Sequence, residues 1–143
     1  MNRNERRLKI FLRILGIFSI LALVPTLMPV AWMASIHEGL KLGPFPQGPA
    51  VEYMARSLSA FYAMFGGLLL VVSGDVRRHS RVIAYVGIVE VLFGLLILIV
   101  ELRIGVPLHL VLSEGPVIIL FGLIILFFLA RTKRETRATE PPS

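Results

Sequence analysis

Four stretches of about twenty residues, nearly free of charge, govern what this chain can become: about 14–35, 55–74, 82–101 and 114–130. A hydrocarbon core of about 30 Å takes about 20 helical residues to cross at 1.5 Å per residue. Inside it each backbone N–H and C=O must find its partner within the segment, which an uncharged helix provides. The fold class expected is therefore all-α, a bundle of four transmembrane helices. Composition agrees: of 143 residues 56% are hydrophobic and 17% charged, far from the balance of a soluble domain. With no cysteine in the chain, disulfides, thiolate catalysis and cysteine-based metal sites are excluded.

The net charge is +6. The basic residues flank the apolar runs and do not form one patch interleaved with aromatics, so the partner they suit is a lipid bilayer and not nucleic acid. Their distribution orients the chain. Twelve lie in the N-terminal segment (Arg3, Arg6, Arg7, Lys9, Arg13), the loop between spans two and three (Arg77, Arg78, Arg81) and the tail (Arg131, Lys133, Arg134, Arg137). Only Lys41, Arg56 and Arg103 fall on the other side. By the positive-inside rule both termini are expected in the cytoplasm. The organisation expected is a basic cytoplasmic N-terminus at 1–13, a membrane domain at 14–130 and a disordered basic cytoplasmic tail at 131–143. Span one is too long, and lacks the small-residue cleavage site, for a signal peptide. It reads as an uncleaved anchor with Trp32 near its outer end. Proline and glycine mark the outer loop around "GPFPQGP" as turn-like.

Span four has an ambiguous start. Pro116–Ala130 alone covers about 22 Å. Either a helix begins near Pro107 and bends at Gly115–Pro116, or "VPLHLVLSEGP" is a short interfacial or re-entrant piece, with Ser113 capping a helix that begins near residue 114. The second alternative gives the boundary adopted above.

Helices in lipid associate through small residues that let backbones approach. Ala55, Ser59, Ala63 and Gly67 recur every four residues on span two and predict one packing stripe. Gly87 and Gly94 do the same on span three, and Gly115 and Gly122 on span four. Glu90 lies between Gly87 and Gly94 on the same face, where span three is notched for a neighbour. A charge facing lipid there costs about 3 kcal/mol, whereas a neutral carboxyl against a neighbour can donate and accept hydrogen bonds. Its expected partners, on span one or two at matching depth, are Thr26, Tyr62 and the Leu21 carbonyl, whose helical donor Pro25 lacks.

An outer-face polar cluster is expected from Arg56, Glu101, Glu114, His37 and His109, with Arg56 paired to Glu101 or Glu114. His and carboxylate groups suit divalent metals, but "HE" at 37–38 lacks the second His of a helical zinc motif, Lys41 standing there. Neither a metal nor a cofactor is expected. No phosphate loop, nucleophile elbow or catalytic triad pattern occurs, so no catalytic residue is assigned.

The third span, "GIVEVLFGLLILI", with Gly87, Glu90 and Gly94 in a Gly-x-x-Glu-x-x-x-Gly pattern, resembles the DoxX-like group of small bacterial membrane proteins. "RSLSAFYAMFGGLLLVVS" is similar to the second span of related families. The resemblance covers roughly residues 50–100; span four, with its long "GVPLHLVLSEGP" lead-in, departs from it. It implies a four-helix bundle, associated in some members with respiratory or redox complexes. The expectation is a multi-pass protein of a bacterial inner (plasma) membrane, a non-enzymatic component or complex subunit with a homo-oligomer or membrane-complex partner. Two alternatives stand beside it: a small transporter or proton-linked channel using Glu90, and an enzyme acting on a lipid or quinone at the outer face.

Overall fold

The computed structural model describes residues 3–139. Among them there is no strand, and seven helices follow in order: α1 (Arg3–Ile20), α2 (Leu23–Leu27), α3 (Val30–Gly39), α4 (Pro49–Ser73), α5 (Ser80–Ile104), α6 (Leu108–Ser113) and α7 (Gly115–Thr139). They compose four helical segments long and apolar enough to cross a membrane: Arg3–Leu27, Pro49–Ser73, Ser80–Ile104 and Leu108–Glu135. The chain divides into two compact units, one of residues 14–71 and the other of the residues before 14 and after 71.

Within the 14–71 unit, prolines decide where the first span breaks. Pro25 offers no N–H to Leu21, and the chain tightens there: Val24 N–H donates to the Leu21 carbonyl at 3.0 Å. That carbonyl is therefore satisfied locally and does not await a carboxyl from another span. Met28, preceding Pro29, adopts the extended conformation that a following proline favours (φ −72°, ψ 151°). The continuous span expected at 14–35 is accordingly interrupted at 28–29, and α3 is a separate helix. The loop after α3 uses Lys41, Gly43 and Gly48 at positive φ. Pro49 then opens α4 at the first helical position, where its missing N–H costs nothing, and Glu52 favours the positive helix end.

The contact between α1 and α4 is glycine on glycine. A Cβ on Gly66 would lie 2.6 Å from the Gly16 carbonyl oxygen, and one on Gly16 2.9 Å from that of Gly66. Gly67, the residue expected in the stripe, would meet nothing within 4 Å. One residue is about 100° around a helix, so the doublet at 66–67 presents two different faces. Of the other three, Ala63 is buried while Ala55 and Ser59 are half-buried.

In the other unit α5 and α7 run antiparallel through two reciprocal glycine approaches. A Cβ on Gly122 would lie 2.6 Å from the Gly87 carbonyl oxygen, and one on Gly94 2.8 Å from that of Gly115. Val91 and Leu98 fill the same seam of α5, as the neighbours such a Cβ would meet at Gly122 and Gly115. α5 ends at Gly105 in the left-handed conformation (φ 75°), the Gly105 and Val106 N–H groups both donating to the Glu101 carbonyl. Pro107 starts α6, and the chain passes from α6 to α7 with Glu114 as hinge (φ −107°, ψ −76°). This is the bent-helix alternative for span four, with Leu108–Glu135 a single candidate span. Ser113 caps nothing; its hydroxyl donates back to the Leu110 carbonyl at 3.0 Å.

Both chain ends are more ordered than expected. Residues 3–13 are helical, with Leu8 and Leu12 fully buried. They are held by Phe11 edge-on to Phe121, by Glu5 to Arg77 at 2.9 Å, and by Asn4 to Glu135. The segment expected as a disordered tail continues α7 through Thr139; residues 140–143 lie outside the described residues.

Gly122→Ala is expected to destabilise the α5–α7 pair by about 1–3 kcal/mol, because its Cβ would meet backbone that cannot swing aside. Gly67→Ala should stay within about 0.5 kcal/mol of the parent. Reversible unfolding in micelles, followed by circular dichroism, measures both.

Candidate functional site

Three polar features interrupt the apolar helices, and each is built from its own local geometry. The first centres on Arg56, half-buried on α4. Its Nε and Nη2 reach Glu52 Oε1 at 2.9 and 2.8 Å, one helical turn earlier. Its Nη1 donates to the Thr26 carbonyl at 2.6 Å, and the Thr26 hydroxyl donates to the Arg56 carbonyl at 3.3 Å. Thr26 lies in α2, whose last carbonyls have no helical donors because the chain breaks at Met28–Pro29. Arg56 is thus a C-terminal cap supplied by another helix, with its charge matched by Glu52. The partner expected for it was Glu101 or Glu114. The i,i+4 arrangement of Glu52 and Arg56 keeps the ion pair within one helix and needs no long-range ordering. That spacing was visible in the sequence, as was the orphaned helix end before Pro29.

The second feature joins Glu101 and Glu114. Glu101, in the last turn of α5, is 6% exposed, and its Oε2 has no hydrogen-bond partner among the described residues. The Glu114 carboxyl, at the α6–α7 hinge, is within hydrogen-bonding reach of Glu101. The sequence suggested each as a partner for a cation; the fold brings them to one another.

The third is Glu90, half-buried near the middle of α5. It is about 60° around the helix from Gly87, so it flanks the seam that the glycines open. The helix entering that seam is α7, through Gly122 and Gly115. Glu90 has no hydrogen-bond or ion-pair partner within its own unit. Its expected partners Thr26 and Tyr62 belong to the 14–71 unit, where the Thr26 hydroxyl is engaged by Arg56.

The outer-face residues divide in the same way. His37 is held in its own loop, its Nδ1 3.1 Å from the Gly43 carbonyl oxygen and its ring edge-on to Phe45. His109 is exposed on α6. Among the described residues no group of three or more His, Asp or Glu side chains is placed to hold a metal ion.

The sequence reading missed Gly16 and Gly66. Gly16 is alone in its span, and without a second glycine seven residues away nothing marked it as a contact. In the loop at 74–79, Asp75 Oδ1 accepts the Arg78 N–H at 3.0 Å and the Asp75 carbonyl accepts the His79 N–H at 3.1 Å. The Arg78 amide holds the Asp75 carboxyl below its ordinary value.

Comparison with family models, curated proteins and solved structures returns no match to this chain.

Arg56→Ala is expected to cost about 1.5–3 kcal/mol through loss of charge-assisted bonds and an uncapped helix end. Arg56→Lys should recover only part of this, since one ammonium cannot span Glu52 and Thr26 as the guanidinium fork does. Thermal unfolding in nanodiscs reads both. A carboxyl whose folded pKa is depressed stabilises the folded state above its unfolded pKa, and that stability is lost as pH falls through the folded value. Asp75→Asn should therefore flatten the acid limb of stability against pH, and Asp75 should titrate below an ordinary aspartate by NMR.

Proposed function

We propose that this chain is a non-enzymatic membrane component whose α4 helix receives a helix of a partner or of a second copy. The four apolar segments make it a multi-pass membrane protein. The observation that carries the finer reading is an open groove of about 610 Å³ along α4, lined by Val51, Met54, Ala55, Ser57, Leu58 and Phe61. Ala55 and Ser57 keep its floor low. The Ser57 hydroxyl already donates to the Tyr53 carbonyl at 2.7 Å, so the groove offers lipid an apolar surface and a helix a place for close packing. Leu58, Phe61, Met54 and Tyr53 stand exposed around it.

The same proposal includes a bacterial inner membrane, a place in the DoxX-like group and cytoplasmic termini, supported respectively by the charge distribution, by Gly87-Glu90-Gly94, and by the excess of basic residues beside 3–13, 74–81 and 131–139. The chain has no cysteine, so single cysteines at Lys41 and Arg78 report sidedness without background.

A photo-cross-linking residue at Leu58 is expected to give a discrete adduct with one membrane protein or with a second copy, lost on Ala55→Trp. Adducts with lipid alone would overturn the reading. A second reading, proton-linked transport, is favoured by Glu90, an acid in mid-helix without a partner in its own unit. It requires a pH-dependent flux into vesicles that Glu90→Gln abolishes.

A further inference from the structure

Glu101 is placed where a negative charge has least support. It is buried in an apolar helix, and lies in the last turn of α5, where the carbonyl dipoles are themselves negative. Its nearest ionisable neighbour is another acid, Glu114. Oε2 is sealed from solvent without a hydrogen-bond partner among the described residues. No cation answers it within this unit. α6 and α7 are the elements of the unit that pack against α5. The ionisable groups of α6 amount to His109, which is exposed, and α7 carries none between Gly115 and Ala130. On α5 itself Arg103 is exposed, about 200° around the helix from Glu101.

Two ionised carboxylates are acceptors only and cannot hydrogen-bond each other; one proton between them makes one a donor. A hydrated metal ion needs space around the sealed Oε2, and a proton needs none. Glu114 is also the hinge residue between α6 and α7, and Pro116 just after it withholds an N–H from the Leu112 carbonyl. Whatever holds Glu114 to Glu101 therefore holds the hinge to the end of α5.

We infer that Glu101 and Glu114 bind one proton between them and form a pH-sensitive latch that keeps the α6–α7 hinge closed on the end of α5. Losing that proton as pH rises leaves two like charges in contact, with one of them buried, and the hinge swings away. The inference stands on this unit alone and does not depend on the partner proposed for α4.

Spin labels on cysteines at Leu102 and Leu112, both exposed side chains, report the latch in nanodiscs. The label distance is expected to lengthen from acidic to alkaline pH in the otherwise native chain. The lengthening should be absent in the Glu101→Gln, Glu114→Gln double variant, whose amides hydrogen-bond at any pH, and retained in His109→Gln. A distance that does not change with pH overturns the inference, as does a response surviving in the double variant or vanishing in His109→Gln. Should the double variant fail to fold, Glu114→Gln alone serves. Its amide can donate to an ionised Glu101, so the response should again be lost, and a response that remains overturns the inference.

Discussion

Backbone meeting backbone at glycine is the contact on which each unit rests. Lipid removes most of the hydrophobic incentive for helices to associate, because acyl chains are as apolar as leucine. What remains is packing, and it is strongest where no Cβ intervenes. Gly87 against Gly122 and Gly94 against Gly115 pin α5 to α7 at two levels, seven residues apart on each helix. Gly16 against Gly66 pins α1 to α4. Carbonyl oxygens at these points approach the opposing Cα hydrogens, a weak attraction that recurs where helices come close. The remaining features of each unit, the capped ends and the hinge, are positioned by these seams.

Charge inside the apolar segments follows a second rule: it appears where backbone geometry has left something to satisfy. Pro25 and Pro29 interrupt the first span, and an arginine from another helix caps the end they create. Gly105 and Pro107 end α5, and the acids Glu101 and Glu114 gather beside that corner. Glu90 is the exception, an acid on an unbroken stretch of α5, and it is the residue on which a transport function would turn.

How much of this was legible in the sequence depended on the length scale involved. The four segments and their helical character follow from hydropathy and the rise per residue, which are properties of single stretches. The α5–α7 seam was half legible: glycines seven apart on each helix announced two notched faces, though not that the faces take each other. At Gly66–Gly67 the pattern failed, because adjacent glycines point about 100° apart and the every-fourth-residue rhythm favoured Gly67. The partner of Arg56 was missed for a different reason. The search looked across helices for a carboxylate, while Glu52 stood four residues away on the same one. The ordered ends were hidden by composition, since charged residues on a helix that buries Leu8 and Leu12 read like a solvated tail.

The interruption at Met28–Pro29 has a consequence for the bilayer itself. Before it, the first span offers only the fourteen uncharged residues from Ile14 to Leu27, about 21 Å of helix, against a hydrocarbon thickness of about 30 Å. That shortfall is a hydrophobic mismatch. It is met by Lys9 and Arg13 stretching their aliphatic stems toward the headgroups, or by the surrounding leaflet thinning to the helix. A protein shaped this way is fitted to thin membrane and bears a strain in thick membrane that its other three spans do not share.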